Sequence, residues 1–305
     1  MPRQGPRHAV GTLHDYGRLF HLTLALLREH RPGVLWMQMP PLPLLWAGLW
    51  HRRRVDTDVR LVADCHNATF GTRWGRVPLA LHLLAGCDLV VVHNDHMLRE
   101  ALARGLPRER LFVLEDVPPS PVLPTAAPLP TGLMQRPRPW VLVPGSFAAD
   151  EPVGELMRAA ALVPECTFVL TGRPENARRF GHRLDPTPRN VVLTGYLETA
   201  VFDNLLQASD LVLALTRQDG IQLSACNEAL GFGKAMVVSD TPLLRRLFGD
   251  GVQMADSRDP LALARAIRQS LARRPELERA AQALAASRRE QWKHRLEGAP
   301  EWLRT

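Results

Sequence analysis

Residues 216–242 read TRQDGIQLSACNEALGFGKAMVVSDTP, and one acid, Glu228, stands inside the apolar helical run. A carboxylate near a helix start is favoured by the helix dipole, and it can accept hydrogen bonds from two adjacent hydroxyls of a ligand. The competing reading is that Glu228 only caps and solvates the helix. Asp219 precedes Gly220. It reads either as a second ligand-facing acid or as a solvated turn acid.

Two turns, PGSF (144–147) and TGR (171–173), follow apolar runs and pair a glycine with a donor. Backbone N–H groups in such turns can meet an anion. That makes Gly145, Ser146 and Gly172 candidates beside phosphate, although ordinary tight turns use glycine in the same way. Arg173 and Arg217 add guanidinium groups suited to bidentate phosphate contacts.

The elements that must position these residues alternate from start to finish. Helical spacing at 16–30, 41–54, 76–87 and 95–106 is interleaved with strand-length runs at 33–39, 59–67, 88–94 and 110–118. A proline-dense stretch, PPSPVLPTAAPLPTGLMQRPRP (118–139), is incompatible with a helix or a central strand and reads as a linker. Beyond it come strands at 140–147, 166–172, 190–197, 210–216, 235–240 and 251–256, with helices between them and a helical tail over 260–297. Short, fully apolar strands separated by helices imply parallel sheets covered on both faces. The expectation is an α/β protein with two Rossmann-type parallel-sheet domains. The boundaries read as 1–118, a linker at 119–139, 140–280, and a C-terminal helix at 281–305 that can cross back to the first domain. Ligands of such sheets bind outside the carboxyl ends of the strands, so the inter-domain cleft is the expected site.

Composition narrows the class. The 305 residues are 46% hydrophobic and 23% charged, as in soluble globular proteins. No apolar stretch is long enough to cross a bilayer, and MPRQGPRHAV lacks the apolar core of a signal peptide. Four scattered cysteines form no C-x-x-C pair or metal spacing, which suits a reducing cytoplasm. The net charge of +7 raises nucleic acid as a partner, but only Lys234 and Lys293 are lysines and the arginines are spread, so no nucleic-acid partner is expected. Trp46 and Trp50 beside the basic run HRRR (51–54) read either as a sheet-covering helix or as a peripheral contact with a membrane surface.

From about Val34 to Trp292 the chain resembles bacterial family-4-like glycosyltransferases. The resemblance is carried by GVLWMQMPPLPLL, LVADCHN, DLVVVHNDHM and LFVLEDVPP in the first half. In the second it is carried by VPGSFAADEP, TFVLTGRPENARR, NVVLTGYL, ASDLVLALT and ACNEALGFGKAMVVSDTP. It implies the GT-B fold and transfer of a sugar from a nucleotide diphosphate sugar to a glycan, lipid-linked or small-molecule acceptor. It also implies that Glu228 matches the last acid of an E-x7-E pattern, the one that accepts from the donor ribose hydroxyls. The first acid is out of register: Gly220 stands at that position, with Asp219 beside it in a T-R-x-D stretch whose similarity to relatives implies a place near the donor sugar and a catalytic part. His66 matches a histidine near the transferred sugar, and Asp64 can orient it; a loop histidine satisfied by the backbone is the alternative. His14 and Asp15 read as a weaker acid–base pair in a loop. Where many family members carry an arginine and a lysine, GSFAADEP carries acids. A strand, glycine-rich turn and helix expected ahead of DYGRLF do not show in the sequence, which implies a late start or a trimmed first domain. No D-x-D pair follows a strand at a candidate site, so neither a metal nor a cofactor beyond the donor is expected. A sugar-nucleotide epimerase and a non-catalytic GT-B-like subunit remain alternatives.

Overall fold

The computed structural model describes residues 9–66, 68–71, 78–120 and 127–304. They fall into two compact units, one of Met1–Glu115 with His294–Thr305, the other of Asp116–Lys293. Parts of the expected linker (121–126) and of the helix at 76–87 (76–77) lie outside the described residues.

The first unit holds α1 (Ala9–His30), β1 (Val34–Met39), α2 (Leu42–Arg54), β2 (Arg60–Cys65), α3 (Ala68–Gly71), α4 (Pro78–Ala85), β3 (Leu89–Val92), α5 (Asp95–Ala103) and β4 (Leu111–Val113). Its four strands are parallel and lie in chain order, β1-β2-β3-β4. Met37, Met39, Leu61, Ala63, Val90 and Val92 form the core with Leu45 of α2, Leu84 of α4 and Met97 of α5. α5 begins where the Asn94 side chain accepts from Met97 N–H at 2.9 Å, satisfying one otherwise orphaned donor. His14 and Asp15 lie inside α1, not in a loop, because the helix starts well before the periodic run at 16–30.

The second unit holds β5 (Trp140–Val143), α6 (Val153–Ala161), β6 (Thr167–Thr171), α7 (Pro174–Arg179), β7 (Val191–Gly195), α8 (Thr199–Ala208), β8 (Leu211–Ala214), α9 (Ser224–Gly231), β9 (Met236–Ser239), α10 (Pro242–Phe248), β10 (Gln253–Ala255), α11 (Pro260–Ala272) and all but the last turn of α12 (Arg274–Glu297). A short helix, α13 (Glu301–Arg304), follows in the residues grouped with the first unit. The sheet is parallel with order β10-β9-β8-β5-β6-β7. Alternate residues feed two cores. Val141, Val143, Phe168, Leu170, Leu213 and Val237 pack with Leu263 and Ile267 of α11. Trp140, Leu142, Val169, Val212, Met236 and Val238 pack on the other face with Leu205, Leu230 and Phe248. Burial on both faces is why these strands are apolar without interruption.

The proline-rich segment is tied to the second unit rather than free. Leu133 is fully buried in its core, and Asn204 Nδ2 donates to Ala127 O at 2.6 Å. Arg288 of α12 donates to Asp116 O at 2.8 Å, and Arg289 donates to Pro119 O at 2.6 Å. The expected single helical tail is broken at Arg273, between α11 and α12.

Candidate functional site

In the second unit, β6 and β7 follow β5 on one side of it while β8 returns on the other. The chain therefore leaves β5 and β8 in opposite directions, and a crevice opens at their carboxyl ends. A cavity of about 530 Å³ lies there, lined by residues after β5, β6, β7 and β8 and by α9. Its size suits a small-molecule ligand.

Gly145, Ser146, Gly172 and Glu228 all line this cavity. The first two turns meet because both use glycine. Gly172 has φ +105°, and a Cβ on it would lie 2.3 Å from Gly145 O. Tyr196, Leu197, Phe202, Ile221 and Leu223 supply the apolar wall. Glu228 is the fifth residue of α9, one turn into the helix rather than its opening residue. Its half-buried carboxylate has no hydrogen bond or ion pair among the described residues. Burial pushes its pKa above the ordinary carboxylate value, and the charge of Asp203 adds to the shift. A carboxylate desolvated in a cavity without a protein donor gains from a ligand that brings hydroxyl donors.

The remaining second-unit candidates lie elsewhere. The Arg217 guanidinium pairs with Glu155 of α6, and its backbone N–H donates to Asp150 O at 2.8 Å. Asp219 Oδ1 accepts from Leu243 N–H at 3.1 Å at the start of α10, which occupies it in holding that helix. Arg173 opens α7 with its guanidinium 4.9 Å from the Tyr196 ring centroid, beside the cavity wall rather than part of it. Four acids line the cavity, Asp150, Glu151, Asp203 and Glu228, and no arginine or lysine does among the described residues. Sequence reasoning had placed Asp150 and Glu151 only as departures from the family pattern.

The first unit brings Asp64 and His66 together with two residues that sequence reasoning missed. His93 Nε2 lies 2.6 Å from Asp64 Oδ1, and Trp36 Nε1 donates to Oδ2 at 2.9 Å. His66 Nε2 stands 3.8 Å from Oδ2, and its ring centroid is 4.4 Å from that of His93. Cys65 of β2 pairs with Val92 of β3, so the next residue of each parallel strand is a histidine and the two fall side by side. The signal was readable: both strands end in His-Asn, in DCHN and VVHN. Burial works against the charge on Asp64, but His66, His93 and Trp36 outweigh it and hold the carboxyl well below the usual carboxylate range. Asp64, His66 and His93 are close enough to hold a metal ion. They equally form a carboxylate that hydrogen-bonds one imidazole, His93, with the His66 ring beside it, an arrangement that fixes a tautomer in acid–base chemistry.

Residues 138–273 match the model of a family described as Glycosyl transferases group 1. No curated protein matches the sequence. Among solved structures, HepE of Anabaena in complex with UDP-glucose is similar with a TM-score of 0.69 and 16% identity, over 92% of this chain and 82% of that one. Sucrose-phosphate synthase from Thermosynechococcus elongatus is similar with a TM-score of 0.66 and 14% identity, over 97% and 82%. Trehalose-6-phosphate synthase OtsA is similar with a TM-score of 0.67 and 14% identity, over 96% and 77%. At these identities the likeness shows the fold: two parallel-sheet Rossmann-like units of the GT-B type.

Proposed function

We propose that the protein is a glycosyltransferase that takes a nucleotide diphosphate sugar as donor, and that the cavity of the second unit is its donor site. The observation that carries this reading is the Glu228 carboxylate, desolvated and without a protein donor, on the wall of a cavity at the switch point of a parallel sheet. The match of residues 138–273 to a glycosyltransferase family supports it. So does the UDP-glucose found in a structure of the same fold. In this reading Glu228 accepts from the ribose hydroxyls, Gly145, Ser146 and Gly172 lie beside the diphosphate, and the sugar is a hexose. Asp64, His66 and His93 serve the acceptor side, with His66 facing the reacting sugar. The acceptor is a glycan or a lipid-linked or small-molecule alcohol. Transfer rests on positioning of donor and acceptor, without a metal or further cofactor. We read the protein as acting in the cytoplasm or at a membrane surface; no described helix is long and apolar enough to cross a membrane.

The test is thermal-shift binding of UDP, GDP and their sugar conjugates to wild type and Glu228→Ala. At 100 times its dissociation constant a ligand should stabilise wild type by about 2.7 kcal/mol. The variant should lose that shift. Without ligand, Glu228→Ala should melt no lower than wild type, because it removes a desolvated charge rather than a bond. A shift that survives the substitution would place the ligand elsewhere. The cavity's four carboxylates favour a second reading, a non-catalytic subunit of the same fold. Nucleotide binding with no sugar transfer to any acceptor would be its signature.

A further inference from the structure

In the turn after β5 one carboxylate, that of Glu151, gathers three donors. Ser146 N–H donates to Glu151 Oε1 at 2.9 Å, Ser146 Oγ–H donates to the same oxygen at 2.7 Å, and Phe147 N–H donates to Oε2 at 3.0 Å. Three donors converge on one carboxylate. Phe147 has φ +56°, a left-handed backbone that lets successive N–H groups point into one concavity. A Cβ added to Gly145 would stand 3.3 Å from Glu151 Oε2, so the carboxylate lies against the backbone of the turn. Converging N–H groups with a hydroxyl are what a phosphate oxygen requires. Here they already hold an anion that belongs to the chain.

Nothing on the cavity wall draws that anion away. Asp150, Asp203 and Glu228 share the wall with Glu151, and no arginine or lysine lines it among the described residues. A diphosphate entering the cradle would meet Glu151 as a like charge and would have to displace three bonds to a charged acceptor, each worth more than a neutral one.

We propose that Glu151 occupies an anion cradle built into the cavity wall and thereby sets its specificity: the cavity binds its ligand through the nucleoside and sugar, and a diphosphate adds little to affinity. The part of this inference that concerns the nucleoside rests on the donor-site reading given above. The occupancy of the cradle does not.

Calorimetry with uridine, UDP and inorganic pyrophosphate, on wild type, Glu151→Gln and Glu151→Ala, tests it. Wild type should bind UDP within about threefold of uridine and pyrophosphate hardly at all. Both variants should gain about tenfold or more for pyrophosphate and UDP, with uridine unchanged, since freed charge-assisted donors are worth that much. Should alanine let the turn collapse, glutamine keeps the side chain's shape; its amide N–H₂ faces a donor, so it holds the cradle more weakly than the carboxylate. A wild type that binds UDP far more tightly than uridine overturns the proposal. So does pyrophosphate binding that neither variant improves. If uridine and UDP bind no form while pyrophosphate gains on the variants, the cradle assignment stands and the nucleotide reading falls.

Discussion

Gly172→Ala is expected to lower the stability of the second unit by about 3–5 kcal/mol and to erase ligand binding in its cavity. Two costs add. At φ +105° an L side chain is strained whatever space surrounds it. The new methyl would also lie 2.3 Å from Gly145 O and 3.2 Å from Phe147 Cε2, a backbone atom and a ring buried in the core. A flexible side chain could swing aside, but a carbonyl held by the turn after β5 cannot. The two turns would part, and the cavity floor they share would go with them. Urea unfolding followed by far-UV circular dichroism reads the first effect. A loss below about 1 kcal/mol would show that the turns are not packed this closely in solution.

Asp64→Ala should cost the first unit about 3 kcal/mol near neutral pH, the upper range for losing a half-buried carboxylate that hydrogen-bonds two side chains. The substitution removes the carboxylate that His93 Nε2 and the Trp36 N–H both meet. The pH dependence has a definite sign. Asp64 has a folded-state pKa below that of an unfolded carboxyl. Its contribution is therefore complete above the ordinary carboxylate range, near 4, and is lost as the pH falls towards the folded value. The gap between wild type and Asp64→Ala should be widest at neutral pH and shrink in acid. Chemical denaturation at pH 7 and pH 3 measures it. An equal gap at both would mean that shape, not charge, is what Asp64 supplies. Asp64→Asn, which keeps the shape, should recover little of the loss, because its N–H₂ meets donors where the carboxylate accepted them.

The strands were legible because burial on both faces leaves a mark that turns and exposed helices do not. WVLV, TFVLT and LVLA stand out as continuous apolar runs, and each became a sheet strand. The helix break at Arg273 was harder, although Pro275 at the second position of α12 is a helix-start signal that could have revealed it. Strand-end glycines pointed to the cavity, since the ends of neighbouring parallel strands must converge. Gly145, Ser146 and Gly172 were singled out that way, whereas Glu228 stood out as an acid inside an apolar helical run; all four line the cavity. Arg217 stands off the cavity lining, its guanidinium paired with Glu155 on a helix 62 residues earlier in the chain. No local spacing reports such a pairing. The same holds for Glu151: its acid was visible in GSFAADEP, but only the fold shows that it turns back onto the backbone it follows.

The residues from His294 onward are grouped with the first unit, and the Arg60 guanidinium stands 5.8 Å from the Trp302 ring centroid. Synthesis and completion therefore run in opposite order. A chain leaving the ribosome presents β1 to β4 first, yet that unit must wait until the whole of Asp116–Lys293 has been made before its last contacts are available. The second unit, contiguous in the chain, can close as soon as α12 emerges. A nascent chain halted before His294 should thus resist protease in its later half and be cut in its earlier one, the reverse of the usual N-terminal-first order.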